Sequence, residues 1–233
     1  KESNARYCET LVATNPCAEQ PLPAYGSCLL GSLNLAKFTD GSDWRLGDLG
    51  SVAAVAVRFL DNVIDRALYP LPEIEAHQKS VRRMGIGTMG LADALVQMKL
   101  LYGKPDAVAA TEAAFRHIKY ATYLMSANLA WSKGAFPAYD RQWLESPFVR
   151  RMGAGFVGHA AKHGIRNAFL TSQAPTGTTA KLAGVWAGIE PYFDKETHVT
   201  NRIGDFTIHA PDSPYLRLAD DVSPSEHIAM MVA

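Results

Sequence analysis

An amide, a thiol and a carboxylate occur at every second position in the segment "TNPCAEQ". They belong to Asn15, Cys17 and Glu19. Because Pro16 disfavours the helical region for the residue before it, the sequence predicts an extended path here. Alternate side chains of an extended chain share one face, about 6.5–7 Å apart along the strand. We therefore expect the three groups together, where a thiol flanked by an acid/base and a hydrogen-bonding amide could form a reaction centre.

The cysteines of the chain, Cys8, Cys17 and Cys28, all lie near its start. They do not make a disulfide scaffold for a chain of this size, and their clustering favours thiol chemistry in a reducing compartment. A free cysteine is most often a small buried hydrophobe, but the polar residues and prolines around Cys17 argue against its burial in the core. Cys28 could be a second redox thiol if the segments flanking the loop pack together. Cys8 is interpreted as structural.

Equal numbers of basic and acidic residues, 23 of each, leave the 233-residue chain without net charge. This balance argues against a surface for polyanions or membranes. Hydrophobic residues make up 48% of the chain, enough for one large domain or two small ones. We see no membrane-length apolar run and no signal peptide, and we expect a cytoplasmic protein. Because the first residue is Lys1, we expect a trimmed chain or a piece of a longer one.

Short β-like stretches are predicted at 6–14 and 25–35, on both sides of a proline-rich loop. The segment 166–172 is predicted to be a buried strand that leads through a Pro/Gly turn into a helix. Hydrophobic periodicity with start and stop signals predicts the remaining helices: Ser51 to before Pro70, from Pro72, from near Thr88, Pro105 to Lys133 with Gly134 as the stop, around 140–151, 156–163, and 224–233. The class is mixed α/β, dominated by helix.

The segment "GIGTMG" has the G-x-G-x-x-G form of a dinucleotide-binding loop at Gly85, Gly87 and Gly90. Such a loop must follow a hydrophobic strand and open a helix. Here the preceding "AHQKSVRRM" is polar with a helical period, and no acidic residue lies about twenty positions on at a strand end. We interpret the glycines as allowing two helices to join closely. The alternative, a nicotinamide-dependent oxidoreductase, requires a strand just before Gly85.

A better candidate for binding phosphate is "APTGTTAKLAG", which follows the predicted strand. The predicted start of the next helix contains Thr176, Gly177, Thr178 and Thr179. Backbone N–H groups, hydroxyls and the helix dipole could bind an anion there. The segment lacks the lysine and the spacing of a Walker loop. A capped helix without a ligand is an equally good interpretation.

Two further features leave their roles open. His159 and His163 have the spacing of two ligands on one helix face, but no third ligand is spaced to join them, so we expect a solvent-facing pair. Glu190, in "GIEPYF", is either a site residue or a satisfied buried acid.

Five segments occur in the order, and at about the spacing, found in ribonucleotide reductases: "TNPCAEQPL", "GSCLLGSLNL", "RRMGIGTMGLADAL", "APTGTTAKLAG" and "GIEPYF". Over about residues 8–230 the chain resembles most closely the adenosylcobalamin-dependent class II enzymes. The resemblance implies an α/β fold that is part of a ten-stranded α/β barrel, helix-rich, with a central finger loop carrying the radical cysteine. It implies a single segment of the catalytic barrel domain, 1–233, with the first half of the barrel absent. It also implies that "RRMGIGTMG" has a structural role and does not bind a nucleotide.

The resemblance implies reduction of ribonucleotides to 2′-deoxyribonucleotides by a thiyl-radical mechanism. Cys17 would become the thiyl radical and remove the 3′ hydrogen of the ribose. Glu19 would act as general base on the 3′ hydroxyl, and Asn15 would hold the substrate hydroxyls. Cys28 would belong to the cysteine pair that supplies reducing equivalents. The radical would come from adenosylcobalamin, with the protein supplying orientation and exclusion of water.

In the same family, the loop that holds the substrate phosphates resembles Pro175, Thr176, Gly177, Thr178 and Thr179. The implied partners are a ribonucleoside di- or triphosphate, a chain carrying the N-terminal half of the barrel, and an external thiol reductant of the thioredoxin or glutaredoxin kind. No metal ligand, nucleic acid polymer or membrane partner is expected, and the chain alone should be inactive.

The chain departs from the family pattern at two positions: Ala18 replaces the usual glycine of the loop, and Lys181 replaces an apolar residue. Two alternatives within the family are a non-catalytic nucleotide-binding or regulatory relative and a fragment of a class I-type reductase, whose radical comes from a partner protein. Retention of Asn15, Cys17, Glu19 and Cys28 together argues against the non-catalytic relative, since a binding module needs none of the redox chemistry.

Overall fold

The computed structural model describes residues 3–201 and 204–233 of the chain. Helices account for most of its regular structure, and the described strands are short. The helices are α1 (Leu46–Arg66), α2 (Pro72–Val81), α3 (Leu91–Gln97), α4 (Pro105–Lys133), α5 (Pro147–Arg150), α6 (Ala154–His163), α7 (Thr179–Ala183) and α8 (Pro224–Val232). The strands are β1 (Ala13–Thr14), β2 (Pro21–Leu22), β3 (Leu29–Asn34), β4 (Met84–Met89), β5 (Glu196–Asn201) and β6 (Gly204–His209).

The described strands form three two-stranded sheets, which pair β1 with β2, β3 with β4, and β5 with β6. The first and last pairs are antiparallel, with Ala13 opposite Leu22 and Glu196 opposite His209. The chain divides into two compact units. The first comprises 1–32, 49–87 and 118–174, and the second comprises 33–48, 88–117 and 175–233.

In the first unit, the buried stripe of α1 contains a carboxylate among apolar side chains. Ala53, Val57 and Ile64 are fully buried, and so is Asp61. Asp61 is paired with three cations: Arg82 Nη2 at 2.7 Å, Lys133 Nζ at 2.9 Å and Arg166 Nε at 3.3 Å. A buried carboxylate requires such partners, because desolvation penalises its charge. The network fixes α1 against the start of β4 and the end of α4.

Strand β4 lies beside an extended segment, 168–172, in the first unit. The Ile86 N–H donates to the Leu170 carbonyl at 2.7 Å, and the Ser172 N–H donates to the Ile86 carbonyl at 3.1 Å. Ile86 and Thr171 form a parallel bridge. Ala168 and Leu170 are fully buried, so this segment belongs to the core. Thr171 is its residue paired with β4 in the manner of a strand.

In the second unit, α3 packs against the chain around Trp186 and Tyr192. The Trp186 and Tyr192 rings are stacked with their centroids 4.6 Å apart. The Asp93 carboxylate accepts hydrogen bonds from the Trp186 N–H at 2.8 Å and from the Tyr192 hydroxyl at 2.6 Å. Ala92 completes this buried cluster, which supports the segment that follows α7.

Several sequence predictions are confirmed. Helix α2 opens at Pro72, and α4 runs from Pro105 to Lys133 with Gly134 following in the left-handed region at φ +83°. The shorter helices expected around 140–151 and 156–163 are present as a 3-10 helix, α5 and α6, and the last helix is α8.

Other boundaries were predicted wrongly. Helix α1 begins at Leu46 rather than at Ser51, because the buried stripe extends back to Leu49. The helix expected near Thr88 begins at Leu91, because β4 continues to Met89. The antiparallel pair β5–β6 was not predicted.

No helix among the described residues is long and apolar enough to cross a membrane.

Candidate active site

The loop that carries Cys17, residues 15–20, closes a small hairpin in the first unit. It joins β1 to β2, and its ends are held together by the Asn15 N–H, which donates to the Gln20 carbonyl at 3.0 Å. The Asn15 side chain reinforces this closure, since its Oδ1 accepts the Gln20 N–H at 2.9 Å. The Cys17 side chain is exposed. Asn15 therefore has a structural role in the loop, which presents the thiol to solvent.

The prediction that this loop follows an extended path is wrong. The Ala18 N–H donates to the Asn15 carbonyl at 3.0 Å, which makes a turn at Pro16 and Cys17. Ala18 has φ +64°, in the left-handed region that glycine adopts at less cost. Asn15, Cys17 and Glu19 thus share one loop that is closed by backbone hydrogen bonds, without the two-residue period of a strand. Proline is tolerated at the ends and edges of sheets, and the prolines of this segment are therefore compatible with the two-residue pairing of β1 with β2.

Glu19 is fixed in the loop by its backbone, while its carboxylate has an unused oxygen. The Ser172 hydroxyl donates to the Glu19 carbonyl at 2.9 Å. The Glu19 Oε2 is buried and has no hydrogen-bond partner among the described residues. A buried carboxylate oxygen without a partner is costly to a folded protein. Such an atom is available to accept a proton or a hydrogen bond from a ligand.

Gly85 and Gly87 allow β4 to lie close to this loop and to its support. A Cβ on Gly85 would lie 2.8 Å from Ser172 Cβ and 2.9 Å from Gln20 Nε2. A Cβ on Gly87 would lie 2.3 Å from the Ser172 carbonyl oxygen. The glycines therefore permit close packing of strand and loop, not of two helices as we expected.

The same geometry excludes the dinucleotide-binding alternative. Helix α2, not a strand, precedes "GIGTMG", and Gly85 and Gly87 lie inside β4 instead of in a strand-to-helix turn. The position of the segment in the core agrees with the structural role that the family resemblance implied.

Cys28 lies just before β3 in the first unit and is largely buried. Burial raises the pKa of its thiol to about 12; the positive charge of Arg83 opposes this shift, and the carboxylate of Glu19 adds to it. Cys28 is therefore within electrostatic range of the Glu19 side chain. At neutral pH it is a protonated thiol, the form that carries a hydrogen atom as well as electrons.

The segment 175–179 lies in the second unit and precedes the single-turn helix α7. Thr176 has φ +57°, and its hydroxyl oxygen accepts the Gly188 N–H at 2.8 Å. Thr178, at the N-cap position, makes no side-chain capping hydrogen bond. A Cβ on Gly177 would meet nothing within 4 Å. The helix expected after this turn is present as a single turn, Thr179–Ala183, and the open side of the preceding turn leaves room for a bound anion.

The remaining candidates have ordinary surroundings. The Glu190 carboxylate is half-exposed and lies 3.7 Å from the His227 ring, so it is not the buried acid considered above. His159 lies 3.0 Å from Asn128 Oδ1, and the His163 ring contacts Trp131. The described residues contain no cluster of three or more His, Cys, Asp or Glu side chains able to hold a metal ion.

A family model described as "Ribonucleotide reductase, barrel domain" matches residues 1–227 of the chain. The chain belongs to the ribonucleotide reductase barrel family. Its fold is therefore of the α/β barrel type found in these reductases.

Named reductases are similar to most of the chain. It is 44% identical over 183 residues to the vitamin B12-dependent ribonucleoside-diphosphate reductase of Mycobacterium tuberculosis, covering 78% of this chain and 24% of that protein. The enzyme of the same name from Thermoplasma acidophilum is 37% identical over 185 residues, 78% of this chain and 22% of that protein. The ribonucleoside-diphosphate reductase subunit alpha of Chlamydia pneumoniae is 28% identical over 233 residues. The chain thus spans about a quarter of the length of these reductases.

Sequence reasoning missed the residues that support the loop carrying Cys17. Gln20 is buried beside Gly85, and Ser172 links the loop to the segment next to β4. Arg83 is buried behind Cys28. The sequence does contain a signal for Arg83, because two consecutive arginines precede a short apolar strand. A charged side chain in such a position must find a buried partner.

Proposed function

We propose that this chain is the part of a ribonucleoside-diphosphate reductase that carries the radical cysteine, and that it acts within a larger or split enzyme. The observation that carries the proposal is the Cys17 loop. An exposed thiol shares a closed loop with a carboxylate, Glu19, whose Oε2 is buried and has no hydrogen-bond partner in the described part of the chain. Glu19 also acts electrostatically on a second thiol, Cys28. The diphosphate is preferred as substrate because the relatives with 37% and 44% identity are named for it.

Each residue has one task in this proposal. The Cys17 thiyl radical takes the 3′ hydrogen atom from the ribose, and Glu19 Oε2 accepts the proton of the 3′ hydroxyl. The Asn15 Oδ1 is engaged by Gln20, so its Nδ2 is the group we assign to a substrate hydroxyl. Cys28, with a second cysteine from the remainder of the enzyme, supplies two electrons and ends as a disulfide.

Large exposed apolar side chains lie on both sides of the loop in the sequence: Leu11 and Val12 before it, and Tyr25 and Leu30 after it. Exposed apolar side chains that gather in one patch mark interaction sites. In this proposal they would pack against the corrin ring, while the amide and phosphate groups of the cofactor would take polar partners elsewhere. Two of the relatives are named vitamin B12-dependent, and when bound, adenosylcobalamin would supply the initiating radical. The residues of this chain would hold it and keep water from Cys17.

The finer architecture and the remaining partners are part of the same proposal. The hairpin loop 15–20 would be the finger loop inside a ten-stranded barrel completed by a chain with the N-terminal half. The residues from Pro175 to Thr179 would hold the substrate phosphates through backbone N–H groups and hydroxyls. A thioredoxin- or glutaredoxin-like dithiol would restore Cys28. Such chemistry requires reduced thiols, so we propose the cytoplasm as its compartment.

The test is a deoxynucleotide assay with adenosylcobalamin, a small dithiol, and CDP or CTP in separate reactions. It compares the chain alone, the chain with a polypeptide carrying the remainder of the reductase, and that mixture with Cys17→Ala. We expect product only from the intact mixture, and more from CDP than from CTP. Product that survives Cys17→Ala would remove the radical from this residue. No product from associated, folded halves would favour the non-catalytic relative, and product without adenosylcobalamin would favour a class I-type enzyme.

A further inference from the structure

The first unit contains a buried ion pair, Arg83 with Glu9, that the proposed reaction does not use. The side chains of Arg83 and Glu9 are each 2% exposed, and Arg83 Nη2 donates to Glu9 Oε1. The Arg83 guanidinium also lies 3.9 Å from the centroid of the Phe169 ring. The second oxygen of Glu9 lies 3.5 Å from His77 Nε2, at the outer limit of a hydrogen bond. Burying this pair costs desolvation energy that a hydrophobic pair would avoid.

The pair is incompletely satisfied, which sets it apart from the Asp61 network. Arg83 Nε and Glu9 Oε2 are buried and make no hydrogen bond within the described part of the chain. Asp61, by contrast, is paired with three cations. A merely structural ion pair gains from satisfying its remaining donors and acceptors. The incomplete hydrogen bonding of Arg83 and Glu9 therefore indicates that the pair serves more than the packing of the first unit.

A buried amide connects Arg83 to the segment that carries Cys28. Gln78 is fully buried. Its Nε2 donates to the Arg83 carbonyl at 2.6 Å, and its Oε1 accepts the Ser27 hydroxyl at 3.3 Å. Ser27 immediately precedes Cys28. One side chain of α2 thus fixes both the arginine and the cysteine segment.

Two charges of opposite sign act on the Cys28 thiol from different elements. Arg83, at the start of β4, favours the thiolate, and Glu19, on the Cys17 loop, opposes it. Arg83 also acts in the same direction on Cys8, where Glu9 opposes it. Burial is the largest influence on Cys28 and keeps it protonated at neutral pH. The contribution of Arg83 is to limit the cost of forming the thiolate.

We propose that Arg83, balanced by Glu9 and held by Gln78, is a positioning residue that stabilises the thiolate of Cys28. Its consequence for catalysis rests on the proposed function. When a Cys28 disulfide is reduced, the thiolate of an external dithiol attacks the partner sulfur, the S–S bond breaks, and Cys28 leaves with the electron pair as a thiolate. A second thiolate of the reductant then releases the partner cysteine, and Cys28 takes up a proton. Leaving thiolates that are better stabilised depart faster.

The experiment measures the ionisation of Cys28 directly and needs no reductase activity. Alkylation of each cysteine by iodoacetamide is followed by peptide mass spectrometry between pH 7 and 9.5, where the rate follows the thiolate fraction. The variants are Arg83→Met, Arg83→Lys and Glu9→Gln. Lys79→Met, on the exposed side of α2, is the control for loss of one positive charge.

Arg83→Met should slow alkylation of Cys28 by about three- to tenfold, since removal of a nearby cation raises a thiol pKa. Glu9→Gln should accelerate it, because Arg83 then lacks its counter-charge. Arg83→Lys should remain within about twofold of the parent rate, because it keeps the positive charge. Lys79→Met should leave the Cys28 rate unchanged, and alkylation of the exposed Cys17 serves as the internal reference.

Equal Cys28 rates in Arg83→Met and the parent protein would overturn the proposal. So would acceleration in both Arg83→Met and Glu9→Gln, which would indicate that loosened packing, not charge, controls the rate. The ¹³Cβ chemical shift of Cys28 against pH, in protein labelled at cysteine, separates ionisation from access. This outcome is independent of the proposed reductase, since a charged arginine can act on Cys28 whether or not the chain supports turnover.

Discussion

At the residue scale, the Cys17 loop contains an alanine in a conformation that favours glycine. Ala18 has φ +64° and donates its N–H to the Asn15 carbonyl. For a residue with a Cβ, this left-handed conformation costs about 1–2 kcal/mol. The turn is nevertheless closed by two further hydrogen bonds between Asn15 and Gln20. The loop is therefore held in place against a local preference, as is common where residues must present reactive groups.

Replacing Ala18 by glycine should relieve this strain. We expect Ala18→Gly to raise the free energy of unfolding by about 0.5–1 kcal/mol. The relief of backbone strain in the folded state should outweigh the extra conformational entropy that glycine gives the unfolded chain. Urea unfolding followed by circular dichroism provides the measurement. Ala13→Gly, in the extended backbone of β1, is the matched control and should lower the same free energy. Destabilisation by both changes would show that the φ of Ala18 carries no strain.

The family of the chain could be predicted from the sequence, but the conformation of the Cys17 loop could not. The spacing of Asn15, Cys17 and Glu19 indicated a reaction centre, and the ordered motifs indicated the reductase family, which the family model confirms. The hairpin turn depends on a positive φ at an alanine, which residue type does not signal. The supporting contact from Ser172 comes from 153 positions away along the chain. Local sequence patterns contain no information about such a contact.

At the element scale, β4 shows how one glycine pattern can serve two different structures. The G-x-G spacing could suit a phosphate-binding turn, but here it allows a strand to lie against the segment 168–172 and the loop 15–20. Which of these applies is decided by the partner of the strand, which lies far away in sequence. The preceding polar helix and the absence of an acidic residue about twenty positions on were the local guides, and they correctly argued against the dinucleotide fold.

Adding a methyl group to this strand should destabilise the first unit. A Cβ on Gly87 would lie 2.3 Å from the Ser172 carbonyl oxygen, so either β4 or the neighbouring segment must move. We expect Gly87→Ala to lower the free energy of unfolding by about 2–4 kcal/mol. Gly158→Ala, in the middle of α6 with nothing within 4 Å of the new Cβ, should instead raise it by about 0.5–1 kcal/mol. Chemical denaturation of both variants checks the difference in sign.

Helix α1 provides a second matched pair, one turn apart. Asp61 is fully buried among three cations, whereas Asp65 is 44% exposed and pairs with Arg82 Nη1 at 2.7 Å. Asp61→Asn leaves buried cations without their counter-charge and should cost about 3–5 kcal/mol. Asp65→Asn should cost about 1 kcal/mol or less. Similar losses of unfolding free energy in the two variants would contradict the view that burial gives Asp61 its importance.

At the scale of the whole molecule, the chain comprises two compact units and spans about a quarter of the length of the reductases it resembles. Helix periods and caps predicted most of the helices, while the strands were predicted poorly. A helix is specified by residues three and four positions apart, but a strand is specified by its neighbours. The pair β5–β6 has neither a strong hydrophobic alternation nor a distinctive turn signal, and it was missed.

The final prediction concerns acid stability, because carboxyl groups in both units have lowered pKa values. Burial alone would raise the pKa of Asp61 and of Glu9, but their cationic partners lower both. In the second unit, hydrogen bonds from Arg217, Lys104 and Ser223 lower the pKa of Glu226. A carboxyl group with a lowered pKa in the folded state stabilises that state above its unfolded pKa of about 4. This stabilisation is lost as the pH falls through the folded value.

We therefore expect the melting temperature to be nearly constant from pH 7 to about pH 5 and to fall steeply between about pH 4.5 and 3. Glu226→Gln removes one of the responsible groups, so its decline in this range should be shallower although its stability at pH 7 is lower. The difference between the two curves should shrink as the pH falls from about 4.5 to 3, because the unfolded parent begins to bind the proton that folded Glu226 resists. Parallel curves from pH 7 to 3 would mean that Glu226 binds its proton equally well in the folded and unfolded chain, and that the contacts of Arg217 and Lys104 with Glu226 do not stabilise its charge.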